Sequence, residues 1–415
     1  MRDWIHTTLG QVITLQRGFD ITEREFAQGP FPVISSSGVQ GYHSEKKVDG
    51  PGVVIGRKGT LGSVFYVDKD YWPNSMTLWV NDFHGNDPLF VYYFLKTMHF
   101  ENYDCGAANP TLNRNHIHPL PVRIPNVTEQ KIISDLLGSL DALICKNQQL
   151  NAILESISRA VFKSWFIDFD PVRAKAEGRQ PFGMDEETAA MFPDLFEDSE
   201  LGDIPKGWEV KSMGDECQVL LGGTPKTSVK KYWEGGDVNW INSGELNNNR
   251  IINATKTITK TALKESATKL LPRRTVVIAI TGATMGKISL LEIEAAGNQS
   301  IVGVISDGDL SQEFIYYYLN YNIERLLLNS TGSAQPHINR KDVINFKILK
   351  PKCRLIKRFN EIVNPMVDIQ ALNLFKNEIL IKTRDILLEK LISGYILVDP
   401  SKFSLISEGE QEEGA

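Results

Sequence analysis

One glycine-rich segment has residues that could bind phosphate. Gly282 to Lys287 reads GATMGK, and a phosphate-binding loop uses glycine backbone amides and a lysine in this way. The segment has three residues between its glycines instead of four, and Ile288 stands where a serine or threonine would hold magnesium. The matching segment of the first half ends in Gly62-Ser63, without a lysine. We therefore do not expect nucleotide binding.

A second pattern could bind a metal ion. Asp194, followed later by Glu209 and Lys211, fits a loose carboxylate–lysine pattern of nucleases that hydrolyse phosphodiesters with a bound metal. Asp194 lies in an acidic segment and not on a predicted strand, and patterns this loose often arise by chance. An intrinsic nuclease is kept as the less favoured alternative.

Other catalytic arrangements are missing from the sequence. A methyltransferase would need an Asn/Asp-Pro-Pro-aromatic element or a glycine-rich cofactor loop, and Asn109-Pro110-Thr111-Leu112 and Asn364-Pro365-Met366 supply neither. The seven histidines suggest no serine–histidine–acid arrangement, and the four cysteines form no CxxC pair. We expect no cofactor, no structural zinc and a reducing, cytoplasmic location. The chemistry to look for is binding.

Length and charge are compatible with binding to nucleic acid. The 415 residues predict two to three domains, and no apolar run is long enough to cross a membrane. The net charge is −6, but residues 185–203 carry −8 and residues 401–415 carry −3, so the rest of the chain is net +5. A modestly basic body with acidic segments suits a DNA-binding protein, although many other proteins show the same distribution.

A long helix is predicted from Thr128 to Phe166, with Thr128 as its N-cap. Two series of residues recur at heptad spacing and predict an apolar seam. The a series is Ile133, Leu140, Asn147, Leu154 and Val161, and the d series is Leu136, Leu143, Leu150, Ile157 and Ser164. Such a helix needs a partner that covers the seam.

The partner is predicted in the same chain. Adding 226 to the a series gives Phe359, Met366, Asn373, Leu380 and Leu387. Asn147 therefore matches Asn373, and a buried asparagine at an a position fixes register and orientation. The d series matches less well, so two unrelated amphipathic helices are the alternative.

More than the helices is repeated. Residues 106–117, GAANPTLNRNHI, align with residues 332–343, GSAQPHINRKDV, with five of twelve positions identical. FVYYFL at Phe90 matches FIYYYL at Phe314, and we align Asn74-Ser75 with Gln299-Ser300. The FVYYFL segment is predicted to be helical, and short β-like runs precede it at residues 32–34, 53–55 and 64–67. The chain is therefore a duplication of a globular domain followed by a long helix.

With this duplication, the chain resembles the specificity subunit of type I restriction-modification systems. The stretch FKSWFIDFDPVRAK after the first helix, the IPKGWE entry into the second half, and the paired NPTLNRNHI and QPHINRKDV carry the resemblance, which covers essentially the whole chain. It implies an α+β fold with two repeated α/β target-recognition domains separated by a long antiparallel coiled coil of two helices. It also implies double-stranded DNA as ligand, two methyltransferase subunits docked on the helices, restriction subunits bound through them, and no catalytic centre. A stand-alone DNA-binding or scaffold protein of the same fold is the alternative.

The resemblance and the repeat together divide the chain. We expect target-recognition domains at 1–125 and 208–351, spacer helices at 126–170 and 352–395, a linker at 171–207 and an acidic tail at 396–415.

Polar residues on predicted loops are the candidates for contact with DNA. Arginine suits guanine edges or phosphate, whereas asparagine and glutamine suit adenine. The candidates are Ser36, Arg57, Lys58, Asn74, Asn113 and Arg114 in the first domain, and Asn242, Lys287, Gln299, Gln335, Asn339 and Arg340 in the second. Lys226, Lys230 and Lys231 of the second domain are added, and these three lysines together with Arg57 and Lys58 are predicted mainly to contact phosphates.

Two of these sets have competing interpretations. Asn113-Arg114 and Asn339-Arg340 occur in both halves although the half-targets should differ, so they could instead cap the next helix. Base readers should differ between the halves, which favours Arg57 and Lys58, here aligned with Thr281 and Gly282; a solvated turn is the alternative.

Aromatic residues crowd the end of the first long helix. Trp165 and Phe166 are predicted in an apolar junction, either with the linker or with a docked partner subunit. Burial within this chain alone is the alternative.

Overall fold

The computed structural model describes residues 4–103, 111–328 and 338–398. The chain forms two compact units. Unit 1 comprises residues 1–145 and 378–415, and unit 2 comprises residues 146–377. Each unit contains one globular domain and a part of both long helices.

The globular domain of unit 1 consists mainly of short strands and one helix of nine residues. Its elements are β1 (Ile5–Thr8), α1 (Leu9–Val12), β2 (Thr14–Arg17), β3 (Phe31–Ser35), β4 (Gly38–His43), β5 (Gly52–Gly56), β6 (Val64–Val67), β7 (Trp72–Pro73), β8 (Thr77–Asp82), α2 (Pro88–Lys96), α3 (Arg114–Ile117) and β9 (Pro121–Ile124). A four-stranded sheet has the order β2-β8-β5-β6, a three-stranded sheet has the order β4-β3-β7, and β1 pairs with β9.

The three predicted β-like runs form β3, β5 and β6, and the FVYYFL segment lies in α2. Helix α2 begins at Pro88, whose fixed φ suits a first helical position, and the Asp87 carboxylate accepts a hydrogen bond from the Phe90 N–H at 2.7 Å. Phe90, Val91 and Leu95 of α2 are buried in the core of this unit.

The first long helix is α4 (Val127–Phe166). Its N-cap is Asn126 and not Thr128, since the Asn126 side chain accepts a hydrogen bond from the Glu129 N–H at 3.0 Å. Thr128 is already inside the first turn. The linker that follows is ordered into α5 (Asp170–Ala176), α6 (Glu186–Ala190), β10 (Phe196–Glu197) and β11 (Ile204–Pro205).

The globular domain of unit 2 is a larger version of the same plan. Its elements are β12 (Glu209–Ser212), α7 (Met213–Glu216), β13 (Cys217–Leu221), β14 (Val238–Ile241), β15 (Arg250–Ile251), β16 (Lys256–Ile258), α8 (Lys260–Glu265), β17 (Leu270–Leu271), β18 (Val276–Ala279), β19 (Ile288–Leu291), β20 (Ala295–Gly297), β21 (Ile301–Ser306), α9 (Gln312–Leu328), α10 (Arg340–Asn345) and β22 (Lys347–Lys350), followed by the second long helix α11 (Cys353–Ile392). Its sheets have the orders β13-β21-β18-β19-β15 and β16-β14-β20-β17, and β12 pairs with β22.

The two long helices pair antiparallel within each unit. In unit 2, the Asn147 side chain bonds to Asn377, whereas Phe162, further along α4, contacts Phe359 near the start of α11. In unit 1, Asp141 of α4 pairs with Arg384 of α11. The predicted fold class, two repeated domains with a long antiparallel helix pair, is confirmed.

The predicted seam is half wrong. The a series is buried or partly buried, but its companion is the series Leu137, Ile144, Asn151, Ser158 and Trp165. Asn151, Ser158 and Trp165 of this companion series contact α11. The predicted d residues Leu143, Leu150 and Ile157 are exposed. The predicted d series follows the a series by three residues, and the observed companion series follows it by four. Both spacings fit a heptad repeat, so periodicity alone does not say which series faces the partner helix.

Within the part of the chain that the structure describes, no helix is both long enough and apolar enough to cross a membrane.

Candidate nucleic-acid interface

In the first domain, the loop after β5 presents two cations on a fixed backbone. The N–H groups of Arg57 and Lys58 both donate to the carbonyl of Met76, at 2.9 and 3.2 Å. The Arg57 carbonyl accepts a hydrogen bond from the Leu112 N–H at 3.0 Å. Both basic residues are partly exposed. The main chain is therefore held from two sides, and neither basic side chain is needed to hold it.

Ser36 and Asn74 lie beside this loop, but they are buried. The Asn74 side chain donates to Gln40 Oε1 at 3.1 Å and accepts from the Met76 N–H at 3.0 Å. The Ser36 carbonyl accepts from the Ser63 hydroxyl at 2.6 Å. These contacts brace the loop, so we expect Ser36 and Asn74 to position it and not to contact bases themselves.

The paired Asn-Arg motifs have the structural role that the sequence offered as an alternative. The Asn113 side chain caps α3 by accepting from the Asn115 N–H at 3.0 Å, and Asn339 caps α10 by accepting from the Lys341 N–H at 2.8 Å. Arg114 donates to the Leu15 carbonyl at 3.3 Å. Arg340 makes the same kind of contact, because its Nε donates to the Val219 carbonyl at 2.7 Å. In each domain the motif ties a short helix to the first strand of the larger sheet.

Backbone hydrogen bonds correct the alignment of the two loops. The Arg57 N–H donates to Met76, and the Ile280 N–H donates to Ser300 at 2.9 Å. Gly59 and Gly282 both have φ of +78°, in the left-handed region that favours glycine. Arg57 therefore corresponds to buried Ile280 and Lys58 to Thr281, so the alignment with Thr281 and Gly282 was wrong by one residue.

The counterpart of Asn74 is Asn298, and the alignment with Gln299 was also wrong by one residue. The Asn298 side chain accepts from the Ser300 N–H at 3.1 Å, as Asn74 accepts from Met76, two residues on in both cases. The sequence contained this signal, since Asn74 and Asn298 stand 224 apart, as do Phe90 and Phe314. Gln299 itself is exposed and accepts a hydrogen bond from the Thr224 hydroxyl.

The remaining candidates of the second domain differ in exposure. Asn242 is partly buried, and its side chain accepts from the Gly244 N–H at 2.8 Å, which caps the turn that follows. Lys287 is exposed at the end of the glycine-rich Gly282–Lys287 segment. Gln335 lies outside the described residues.

The three lysines of the second domain are exposed, but their surroundings differ. Lys231 Nζ lies 2.6 Å from a carboxylate oxygen of Glu265, and this hydrogen bond raises the pKa of Lys231 and lowers that of Glu265. Lys230 Nζ is 3.7 Å from Glu234, a much looser pair. Glu265 offsets much of the charge that Lys231 presents, so Lys230 is the stronger candidate for a phosphate contact.

The carboxylate–lysine pattern of a nuclease is not assembled as a metal site. Lys211 Nζ lies 2.7 Å from Glu209, and the hydrogen bond between them lowers the pKa of Glu209. Asp194 is exposed between α6 and β10. Across residues 4–103, 111–328 and 338–398, no group of three or more His, Cys, Asp or Glu side chains could hold a metal ion.

The aromatic end of α4 is covered within unit 2. The Trp165 ring lies 5.3 Å from the Phe192 ring of the linker, and the Phe166 ring lies 5.9 Å from the Trp208 ring. Trp165 is 6% exposed and Phe166 is 1% exposed. This is burial within the chain, and it leaves a partner subunit little of either side chain to contact.

Both long helices instead expose other large apolar residues, which we call the outer apolar residues. Leu143 and Ile153 of α4 are repeat-related to Ile369 and Ile379 of α11, since each pair is 226 apart. Unit 1 exposes Val127, Leu143, Ile379, Ile381 and Ile386, and unit 2 exposes Leu150, Ile153, Ile157, Ile369 and Leu372. Contiguous exposed apolar residues on a protein surface mark interaction sites.

Comparison with known families gives one match, found twice. Residues 1–156 and 205–354 both match the model described as type I restriction modification DNA specificity domain. Each match contains one globular domain and, in the first, most of the following helix.

Individual relatives agree with this match. The chain is similar to the HindI specificity subunit of a type I restriction enzyme from Haemophilus influenzae, with 29% identity over 329 residues, 69% of this chain and 71% of the relative. It is also similar to the MjaIX specificity subunit of a type I restriction enzyme from Methanocaldococcus jannaschii, with 26% identity over 319 residues, 75% of this chain and 69% of the relative. Among solved structures, the S subunit of a type I restriction-modification system from M. genitalium has the same fold, with a TM-score of 0.65, 16% identity and 96% of both chains covered.

Proposed function

Since this chain belongs to the type I restriction modification DNA specificity family, we propose that it reads a split, asymmetric target in double-stranded DNA. It acts as the specificity subunit of a type I restriction-modification system. Each globular domain reads one of two base clusters, and the helix pair sets the number of base pairs between them. We assign residues 1–125 and 208–351 to the two target-recognition domains and residues 126–170 and 352–395 to the spacer helices.

The observation that carries this proposal is one backbone frame with two different side chains. Arg57 in the loop after β5 and Ile280 in the loop after β18 make the same pair of backbone hydrogen bonds, with Met76 and Leu112 in the first domain and with Ser300 and Ile338 in the second. The first loop nevertheless presents a partly exposed Arg57 where the second buries Ile280. Two domains that read different bases need this combination, because phosphate contacts position a protein whereas side chains at base edges specify the sequence. Arg57 and Lys58 are therefore the leading readers of the first half-site.

The second domain is expected to read its half-site with other side chains of the same region. Gln299 is exposed, and its amide oxygen is held by Thr224, which orients its amide group. An oriented glutamine amide suits the edge of adenine. Lys287 and Lys230 lie on exposed turns of the same domain and are suited to phosphate.

The outer apolar residues support docking of two methyltransferase subunits, with restriction subunits bound through them. Repeat-related residues such as Leu143 and Ile369 would give two copies of one partner equivalent contacts, one in each unit. In this proposal the chain itself is non-catalytic, needs no cofactor and works in the cytoplasm, where the DNA is. Methyl transfer and DNA cleavage belong to its partners.

The test is to co-express the chain with the methyltransferase encoded beside it, to purify the complex and to map the methylated adenines in DNA exposed to it. A bipartite motif with two different half-sites is expected. Arg57→Ala should weaken or relax the first half-site only, and Arg179→Ala, at an exposed arginine of the linker, is the matched control that should change neither. Recovery of the chain without any methyltransferase would favour a stand-alone DNA-binding protein, and metal-dependent cleavage by the purified chain would favour a nuclease.

A further inference from the structure

The repeated motif FVYYFL and FIYYYL contains a pair of tyrosines whose positions match. Tyr93 in α2 and Tyr317 in α9 are the second tyrosine of each motif, 224 residues apart. Both are 1% exposed. Neither has a place in DNA reading, yet a buried hydroxyl needs a hydrogen-bond partner, and both hydroxyls have one outside their own domain.

In unit 1 the partner is a carboxylate of the first long helix. The Tyr93 hydroxyl donates to Asp141 Oδ2 at 2.6 Å, and Arg384 Nη1 donates to the other oxygen, Oδ1, at 2.6 Å. Asp141 belongs to α4 and Arg384 to α11. One hydroxyl thus joins the domain to a charged pair that spans both helices of this unit.

In unit 2 the equivalent tyrosine, Tyr317, binds a different carboxylate. The Tyr317 hydroxyl donates to Glu155 Oε2 of α4 at 3.1 Å, and Arg250 Nη2 lies 4.0 Å from the same oxygen. Arg250 also pairs with Glu292, whose side chain is fully buried. The second helix is reached through Arg274, which pairs with Asp368 of α11 and with Glu313 at 3.3 Å.

Both hydroxyls are donors over the whole physiological range. Burial, followed by the nearby carboxylate, raises the pKa of Tyr93 and of Tyr317 far above the usual value for a phenol. Apolar packing between a domain and a helix is non-directional, whereas a hydrogen bond to a charged acceptor has a preferred distance and angle. These two contacts are therefore suited to fixing an angle.

We propose that Tyr93 and Tyr317 are positioning residues that fix the pose of each recognition domain on the helices of its own unit, and so set how strictly the spacing between the two half-sites is enforced. This inference rests on the proposed function. The tyrosines touch no base. They act by preventing a domain from rocking on the helix pair, because a domain free to rock accepts half-sites at neighbouring separations.

The test compares Tyr93→Phe and Tyr317→Phe with wild type in the complex with its methyltransferase subunits. Binding is measured to DNA with the cognate spacer and with spacers one base pair longer and shorter. The half-site sequences should stay the same, and the preference for the cognate spacer should fall roughly tenfold, as expected for loss of one hydrogen bond to a charged group. An unchanged preference in both variants overturns the inference.

Matched controls separate positioning from ordinary stability. Tyr318→Phe removes a hydrogen bond to the Lys347 carbonyl, which is 3.2 Å away and inside the same domain. Tyr92→Phe changes the other tyrosine of the first motif, next to Tyr93. Tyr318→Phe should lower the melting temperature and leave the spacer preference unchanged. If it relaxes the spacer as much as Tyr317→Phe does, the effect is general loosening and the inference fails.

A measurement without DNA tests the positioning role of the tyrosines separately from the proposed function. Fluorophores introduced through non-canonical amino acids at Lys69 of the first domain and Ser139 of α4, both exposed and both in unit 1, report the pose of that domain. Tyr93→Phe should broaden the distribution of distances and Tyr92→Phe should not. If wild type reads no split target but the distribution still broadens, the proposed function fails and the positioning role stands. An equally narrow distribution in Tyr93→Phe contradicts the positioning role.

Discussion

Asn147 of α4 donates its side-chain N–H to the side-chain oxygen of Asn377 of α11 at 2.8 Å. Adding 226 to Asn147 and Asn151 gives Asn373 and Asn377, and Asn373 donates in turn to Asn151 at 2.9 Å. The helix pair of unit 2 is thus marked by two reciprocal asparagine contacts, each the repeat image of the other. A polar pair at a helix interface specifies register, because any shift leaves an amide buried without its partner.

The first prediction concerns this asparagine pair. Asn147→Leu alone should lower the free energy of unfolding by about 1–3 kcal/mol, because Asn377 loses a partner for its buried amide. Asn147→Leu combined with Asn377→Leu should recover that loss or exceed wild type, since an apolar seam is more stable though less specific in register. Chemical denaturation measures both. Gln148→Leu, at an exposed position, is the control, and a double variant no more stable than the single one would contradict the account.

A second prediction separates the buried aromatic junction from the outer apolar residues. Trp165→Ala should lower the free energy of unfolding by about 3–5 kcal/mol, because it opens a cavity among the Phe192, Phe166 and Phe359 rings. Ile157→Ala, at an exposed position of the same helix, should leave stability nearly unchanged and weaken association with the methyltransferase subunit. Denaturation and a pull-down give the two readouts. A Trp165→Ala chain with unchanged stability and unchanged association would remove any role for the junction.

A third prediction concerns salt dependence. If Lys230 contacts a phosphate, Lys230→Gln should weaken binding to all DNA sequences and reduce the slope of log K against log salt by about 0.9. Lys231→Gln should reduce the slope by less, because Glu265 already pairs with that ammonium group. Titrations at several salt concentrations measure both slopes. Equal slopes for wild type and for the variant that combines Lys230→Gln with Lys231→Gln would rule out phosphate contact by this turn.

A fourth prediction concerns the helices as a ruler. One heptad inserted after Asn147 and another after Asn373 fall in the same stretch of the helix pair, which is bounded by the Asn147–Asn377 and Asn151–Asn373 contacts, so the residues outside that stretch keep their partners. The insertion lengthens the helix pair by about 10 Å at 1.5 Å per residue. With DNA advancing about 3.4 Å per base pair along each strand, the spacer of the methylated motif should grow by up to about three base pairs. The half-sites should be unchanged, and a changed half-site with an unchanged spacer would show that the helices are not the ruler.

The fold was largely predictable because it is repeated. The duplicated motifs gave two domains and two long helices, and the a series containing Asn147 gave their pairing. What failed was resolution to a single residue. Leu143 and Leu150 fit a heptad repeat with the a series as well as Ile144 and Asn151 do, and only the position of the partner helix decides which of them is buried.

The candidate site was less predictable, for a related reason. A polar residue on a loop has the same sequence signal whether its side chain braces the backbone or faces solvent. Asn74, Asn113 and Asn339 turned out to hold main-chain N–H groups, whereas Arg57 and Lys58 are left partly exposed. The sequence could have identified Asn298 from the constant separation of 224, but the one-residue difference between the loops at Arg57 and Ile280 obscures that separation.

The hydrogen-bond frame around Arg57 has a consequence for how such a protein could acquire a new target. The hydrogen bonds by which residues 57 and 58 hold this loop in place use their main-chain atoms, so a new side chain at either position changes what is read and leaves these bonds intact. The second domain lacks this freedom at the same place, because Ile280 is part of its core. Substitutions that retarget the protein should therefore accumulate at different positions in its two halves.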